Sequence, residues 1–249
     1  EFNAEDFYAD DEVVITLSHM GYIKRTPLTE FKAQGRGGIG VKGSATRDND
    51  FIEHIYPATM HNTMMFFTDR GRCYWLKVYD IPEGAKNNKG RAIQNMLMIE
   101  PGDKVNACLC IRKLQDPVFC ENHFVLFCTK NGIIKKTCLT DYSRPRTNGV
   151  IAINIREDDR VIGVSLTNGH NEVVIANRNG RAIRFNEDQV RTMGRNATGV
   201  NSFVLDQDSE DEVIRMAVIN DVEHETILVL SDQGLGKRTD ADEYGKTSR

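Results

Sequence analysis

The stretch Phe124-Val125-Leu126-Phe127-Cys128-Thr129-Lys130-Asn131-Gly132-Ile133-Ile134-Lys135-Lys136 decides the fold class. A run of β-prone apolar residues meets Asn131-Gly132, a pair that tolerates positive φ at little steric cost. A second apolar run returns from it, which is the signature of a β-hairpin. The pattern recurs along the chain. Val13-Val14-Ile15-Thr16-Leu17 precedes Gly21, and Met64-Met65-Phe66-Phe67-Thr68 precedes Gly71. Glu172-Val173-Val174-Ile175-Ala176 precedes Gly180, and Ile227-Leu228-Val229-Leu230-Ser231 precedes Gly234. The five turn glycines are 50, 61, 48 and 54 residues apart, the period of an internal repeat.

A second glycine follows the first four at 19, 19, 17 and 19 residues, as Gly40, Gly90, Gly149 and Gly199. An apolar segment comes after it, for example Gly149-Val150-Ile151-Ala152-Ile153. A last strand then opens behind an acidic residue at Asp50, Asp103, Asp159 and Glu212. Each unit reads strand, hairpin, strand, long loop, strand, turn, strand. Four strands in roughly 50 residues is the arithmetic of a propeller blade. Two unrelated β-sandwiches would not share these offsets. The expected fold is all-β, a propeller-like disc of four-stranded blades starting near 13, 62, 123, 171 and 226, with about five repeats and the last incomplete. The fifth repeat stops at Arg249, fifteen residues past Gly234 and short of the offset at which its second glycine would fall, so a longer natural chain is expected. Residues 1–12, with Glu5, Asp6, Asp10, Asp11 and Glu12, read as an acidic linker from a preceding domain, and 13–249 as the repeat domain. On the second hairpin strand, alternation places Ile23, Cys73, Ile134, Ala182 and Gly236 toward a neighbouring blade. Lys24, Tyr74, Lys135, Ile183 and Lys237 then fall on the other face.

Composition bounds the function. A chain of 249 residues with 40% hydrophobic and 27% charged residues is an ordinary globular sequence, not a disordered one. Its formal charge of −4 disfavours a uniformly basic binder of nucleic acid but leaves room for a local basic surface. The six cysteines form no C-x-x-C pair and several lie in apolar runs, so a reduced, cytoplasmic protein is expected. The six histidines have no metal-ligand spacing, and no metal site is expected. No apolar run approaches the roughly 20 residues that cross a bilayer, and no membrane partner is expected.

Charge is segregated within each repeat. Residues 13–47 carry +5, 70–91 carry +4, 130–146 carry +4 and 177–195 carry +3. The rim candidates among these cations are Lys24, Arg25, Lys32, Lys42 and Arg47; Arg70, Arg72, Lys77, Lys86, Lys89 and Arg91; Lys135, Lys136, Arg144 and Arg146; Arg181, Arg184, Arg191 and Arg195; and, in the last hairpin, Lys237 and Arg238. Equivalent positions of a blade fall at equivalent places around a disc, so these residues are expected to line one rim as a continuous belt. A curved positive track suits a phosphate backbone, which positions DNA without reading its sequence.

Gln34-Gly35-Arg36-Gly37-Gly38-Ile39-Gly40 is the most distinctive loop. By itself it is either a weak nest-like anion site or a flexible loop. In this repeat it resembles the Q-R-R-G-G-K/R-G box of the DNA gyrase A C-terminal domain. Ser18-His19-Met20-Gly21-Tyr22-Ile23-Lys24-Arg25-Thr26-Pro27-Leu28 looks like the same family's first blade, and Gly234-Leu235-Gly236-Lys237-Arg238-Thr239 is a degenerate echo. Gln34, Arg36, Gly37, Gly38 and Gly40 match the box, whereas Gly35 and Ile39 replace basic residues. The resemblance implies a β-pinwheel, in which strands are exchanged between neighbouring blades. It also implies a non-catalytic role in wrapping double-stranded DNA so that the holoenzyme introduces negative supercoils. The implied partners are the gyrase B subunit, together with the remainder of gyrase A. The holoenzyme would be a heterotetramer in a bacterial, nucleoid-associated setting, and the isolated domain a monomer. No cofactor is implied for this domain; ATP and magnesium would act elsewhere in the holoenzyme. The altered box keeps one alternative, the C-terminal domain of the related topoisomerase IV.

No catalytic constellation stands out. Tyr22, Tyr74 and Tyr142 sit in repeat positions that read as packing, and Trp75 replaces the cation found four residues after other turn glycines. A propeller used as a protein-interaction scaffold is the competing class, but it would want apolar patches on a disc face and would not gather cations on one edge.

Overall fold

The computed structural model describes residues 3–31, 49–206 and 210–247. The first repeat supplies β1 (Glu12–Ser18), β2 (Tyr22–Pro27) and β3 (Ile52–Thr59). The second supplies β4 (Thr63–Thr68), β5 (Arg72–Lys77), β6 (Arg91–Ala92) and β7 (Val105–Ile111). A one-turn helix, α1 (Pro117–Glu121), leads to the third: β8 (Phe124–Thr129), β9 (Ile133–Cys138), β10 (Val150–Ile151) and β11 (Val161–Thr167). The fourth holds β12 (Glu172–Asn177), β13 (Ala182–Asn186), β14 (Val200–Asn201) and β15 (Val213–Ile219), and the fifth β16 (Thr226–Leu230) and β17 (Gly236–Asp240).

The hairpins form for a local reason that all five share. Three residues before each turn glycine, an oxygen side chain accepts the backbone N–H of the residue after that glycine: Ser18 from Tyr22, Thr68 from Arg72, Thr129 from Ile133, Asn177 from Arg181 and Ser231 from Leu235. Such side-chain acceptors stabilise a turn before any tertiary contact exists. The acidic residue that opens the last strand ties down the tip of the same hairpin. Asp50 Oδ1 accepts from the N–H of Met20, and Asp159 Oδ1 from that of Asn131. In the fourth repeat the acceptor is Asp211, from Asn179 N, rather than Glu212.

The sheets do not follow chain order. Their strand orders are β3-β1-β2-β6, β10-β5-β4-β7 and β11-β8-β9-β14, followed by a three-stranded β13-β12-β15 and the two-stranded β16-β17. In each of the first three sheets, the short strand beside the second hairpin strand comes from the following repeat. The exchange implied by the resemblance is thus present, whereas the repeat spacing alone suggested self-contained blades. The second glycine makes it possible. Gly90 and Gly199 have φ of +80° and +107°, and a Cβ there would lie 2.3 Å from Ile23 O and 2.5 Å from Ile134 O. Only glycine lets the incoming strand approach the preceding hairpin so closely.

The chain divides into two compact units. One comprises residues 1–68, 72–114 and 145–150, with Ile15, Ile23, Met64, Phe66, Tyr74 and Cys108 in its interior. The other comprises 69–71, 115–144 and 151–249, with Leu126, Ile134, Val173, Ile175, Phe185 and Phe203 inside. Each of the Ile, Leu, Val, Met and Phe side chains among them contributes about 1.5–3 kcal/mol on burial. All six cysteines are free thiols. Burial pushes Cys110 up to about 11 and Cys128 to about 12, so they serve as small core residues.

Candidate nucleic-acid interface

The cations of the repeats fall into two classes. Lys24 and Lys135 both stand three residues after a turn glycine, and both are interior, with relative exposures of 2% and 0%. Lys24 Nζ donates to the carbonyls of Ala85, Lys86 and Asn88 at 3.0, 3.0 and 2.7 Å. Lys135 Nζ donates to the carbonyls of Ala152 and Arg195, each at 2.6 Å, and reaches Tyr142 Oη at 3.4 Å. An ammonium has three N–H donors, and these oxygens use them. Burial pushes the Lys135 amine down to about 7 against the opposing pull of Asp141, and Arg195 adds to the fall. Burial lowers Lys24 too, with Glu30 opposing.

The next position behaves alike. Arg25 Nη1 donates to Glu83 Oε2 at 2.7 Å, and Lys136 Nζ to Glu187 O at 3.0 Å. Arg184 Nη1 donates to the carbonyls of Ala241 and Tyr244 at 2.9 and 2.7 Å, and its Nε to Glu172 Oε2. Backbone bridges join Arg25 to Glu83, Lys136 to Thr192 and Arg184 to Lys246. Glu83, Thr192 and Lys246 each stand 12 residues past the turn glycine of the following repeat. These cations therefore hold the loop of the next repeat onto the hairpin of their own.

This corrects the expected belt. Lys24, Lys135, Lys136 and Arg184 are expected on a rim, but their side chains are buried and held by main-chain oxygens, that of Arg184 by Glu172 as well. In the second repeat the equivalent of Lys24 is the buried Tyr74, whose hydroxyl accepts from Arg72 Nε at 3.3 Å. Arg25, Arg72, Lys77, Lys86 and Arg195 are half-buried. Arg72 donates to Asn148 O, Lys77 is paired with Glu5, and Lys86 lies over the Phe31 ring.

The second class is exposed: Arg70, Lys89, Arg91, Arg144, Arg146, Arg181, Arg191, Lys237 and Arg238. Five of these, together with the half-buried Arg195, cluster before or beside a second glycine. Lys89 and Arg91 flank Gly90, Arg144 and Arg146 precede Gly149, and Arg191 and Arg195 precede Gly199. The buried cations grip these same loops, since Lys24 holds the carbonyls at 85, 86 and 88, and Lys135 holds that of Arg195. Charge counting missed this division of labour. The signal available was the apolar flank Ile133-Ile134, which marks a strand with no solvent face. The box residues Gln34, Gly35, Arg36, Gly37, Gly38, Ile39 and Gly40, together with Lys32, Lys42 and Arg47, lie outside the described residues. Among the described residues, no three His, Cys, Asp or Glu side chains are grouped to hold a metal ion, and no helix is long and apolar enough to cross a membrane.

Comparison with known proteins places this geometry. A family profile described as DNA gyrase C-terminal domain, beta-propeller, matches residues 12–59, 62–112, 123–168, 171–220 and 225–249. The DNA gyrase A protein of Salmonella typhimurium is 42% identical over 249 residues, all of this chain and 27% of that protein. Its Staphylococcus aureus counterpart is 37% identical over 245 residues, 98% of this chain and 27% of its own length. The chain thus spans about a quarter of these relatives. Among solved structures, the C-terminal domain of DNA topoisomerase IV superposes with a TM-score of 0.74 at 28% identity, covering 97% of this chain and 71% of that one. The DNA gyrase A C-terminal domain superposes with a TM-score of 0.78 at 22% identity, covering 96% and 75%, a likeness of fold. Tandem glycine-turned hairpins, exchanged strands and a matching profile along nearly the whole chain lead to one conclusion: it belongs to the DNA gyrase C-terminal domain family of β-propellers.

Proposed function

We propose that this chain is a non-catalytic DNA-binding and DNA-wrapping element of a gyrase A-type protein. It would act with the rest of that protein and with gyrase B in negative supercoiling. The observation that carries the reading is the recurrence of exposed cations before or beside the second glycine, at Lys89 and Arg91, Arg144 and Arg146, and Arg191. Each neutralised phosphate releases counterions and adds about −0.9 to the slope of log K against log salt. Smoothly bending a 20–30 base-pair site by 40–90° costs on the order of 1–6 kcal/mol, so several contacts must act together. Loops held by buried amines suit that task, because a rigid presenter loses little entropy when DNA arrives. Arg36 and the box around it are proposed as a further contact, and the nucleotide and magnesium chemistry is assigned to other parts of the holoenzyme.

The test is ligation of nicked plasmid in the presence of the chain. A shifted topoisomer distribution is the expected result, and its sign gives the handedness of the wrap. The altered box, with Gly35 and Ile39 in place of cations, favours one competing reading, a topoisomerase IV-like clamp that grips DNA without wrapping it. Duplex binding with an unshifted distribution would establish that reading and overturn wrapping.

A further inference from the structure

The acidic lead-in is not a free tether. Ala4–Phe7 form a short turn of 3-10 helix, capped by Asn3, whose side chain accepts from Glu5 N, and the Glu5 carboxylate is paired with Lys77 Nζ. The Tyr8 ring lies flat on that of Tyr79, with centroids 4.9 Å apart and planes 6° from parallel. His61 Nε2 donates to Tyr8 O at 2.7 Å, and His61 N donates to Asp10 Oδ1 at 2.9 Å. Met60 N donates to Asp11 O. Five contacts, an ion pair, a ring stack and three hydrogen bonds, therefore fasten the segment to Lys77 at the end of β5, to Tyr79 just beyond it and to Met60 and His61 between β3 and β4. Four further acids of that segment, Asp6, Asp10, Asp11 and Glu12, remain exposed.

We infer that residues 3–11 are an autoinhibitory strap: a carboxylate-bearing stand-in for the phosphate backbone that occupies Lys77 and is displaced when duplex DNA binds. The inference rests on the DNA-binding reading above and adds a regulation to it. Lys77 belongs to the +4 segment of the second repeat, and unlike Lys24 and Lys135 its partner is an acid from outside the repeat. Its side chain is 25% exposed and that of Glu5 27%, so the pair sits at the surface where a polyanion competes directly. A partly exposed pair of this kind is weak enough to be exchanged for a phosphate. The Tyr8–Tyr79 stack and the His61 contacts then set how readily the strap lets go.

The experiment measures affinity for random-sequence linear duplex DNA over a range of salt concentrations. It uses the chain as it stands, Glu5→Gln, Tyr8→Ala, Lys77→Gln and the Glu5→Gln/Lys77→Gln double variant. Glu5→Gln keeps the hydrogen-bonding shape and removes the charge. It is expected to bind severalfold more tightly at low salt, with a slope steeper by about 0.9, one more phosphate neutralised. Tyr8→Ala is expected to tighten binding in the same direction. In the Lys77→Gln background the gain from Glu5→Gln should vanish. A gain that persists there means the acids act only as diffuse repulsion, which overturns the strap. So does DNA binding by the parent chain with no response to Glu5→Gln. Absence of binding by every variant overturns the DNA-binding reading itself, and the strap with it.

Discussion

Two hairpins of this molecule have nearly the same local design and opposite surroundings. The β8–β9 hairpin turns at Gly132 with φ +84° and the β16–β17 hairpin at Gly234 with φ +79°. Thr129 and Ser231 lock the two turns with the same hydrogen bond. Both carry a lysine three residues beyond the glycine and a cation at the fourth: Lys135 and Lys136 in one, Lys237 and Arg238 in the other. Yet Leu126 and Lys135 have no exposure, whereas Leu228 is 62% exposed and Lys237 and Arg238 lie in solvent. The β8–β9 hairpin is flanked by β11 beside β8 and the exchanged β14 beside β9, and Lys135 holds a loop of the next repeat. Among the described residues, β17 is paired with β16 alone. A cation at this position is therefore a strut or a surface charge according to what the next repeat lays over it.

The largest expected effect comes from removing the strut. Lys135→Ala leaves a cavity and strips two short hydrogen bonds from buried carbonyls, a loss of about 3–5 kcal/mol in urea unfolding. Lys237→Ala is expected to stay within about 0.5 kcal/mol, as an exposed substitution does. Equal losses at the two sites would break the comparison.

The turn glycines sharpen it. Both are left-handed, so alanine at either pays roughly 1–2 kcal/mol for its backbone conformation. At Gly132 the new Cβ also meets Phe203 O at 2.8 Å, while at Gly234 nothing lies within 4 Å. Gly132→Ala should therefore lose about 1 kcal/mol more than Gly234→Ala, measured as the difference between their thermal midpoints. A smaller loss at Gly132 would mean that the following repeat yields easily.

Titration separates the two lysines further. The folded Lys135 amine is pushed down to about 7 from its ordinary 10.5. Between those values the unfolded chain holds a proton that the folded chain has released. Stability then rises with pH across that window and is flat below it. Melting temperatures from pH 7 to pH 9 are expected to climb for the parent chain and for Lys237→Met relative to Lys135→Met. Parallel curves for all three would show that the amine stays charged.

The smallest effect inverts the order. Lys237→Gln with Arg238→Gln should leave folding unchanged and lower the magnitude of the salt slope for duplex binding by about 0.9 for each phosphate no longer neutralised. An unaltered slope would remove these two cations from the proposed surface.

The repeat was legible because its causes are local. Ser18, Thr68, Thr129, Asn177 and Ser231 act on residues four positions away, and each turn glycine sits between them. The partner of each short strand was not legible in the spacing. Arg91, Val150 and Val200 carry nothing that says they pair with the hairpin of the preceding repeat, and only the family resemblance pointed to exchange. At the candidate site, the segregation of charge within repeats could be counted. Which charges reach solvent could not, because Lys24 and Lys89 look alike until the loop between Gly84 and Gly90 is laid on β2.

Sequence alone determined the number of hairpins, the place of each turn and the positions at which only glycine serves, because torsional sterics and side-chain hydrogen bonds across a few residues settle them. Tertiary structure alone decided which strand completes each sheet and which cations become struts. Burial and carbonyl coordination depend on segments some 60 residues away, whose approach no local pattern encodes.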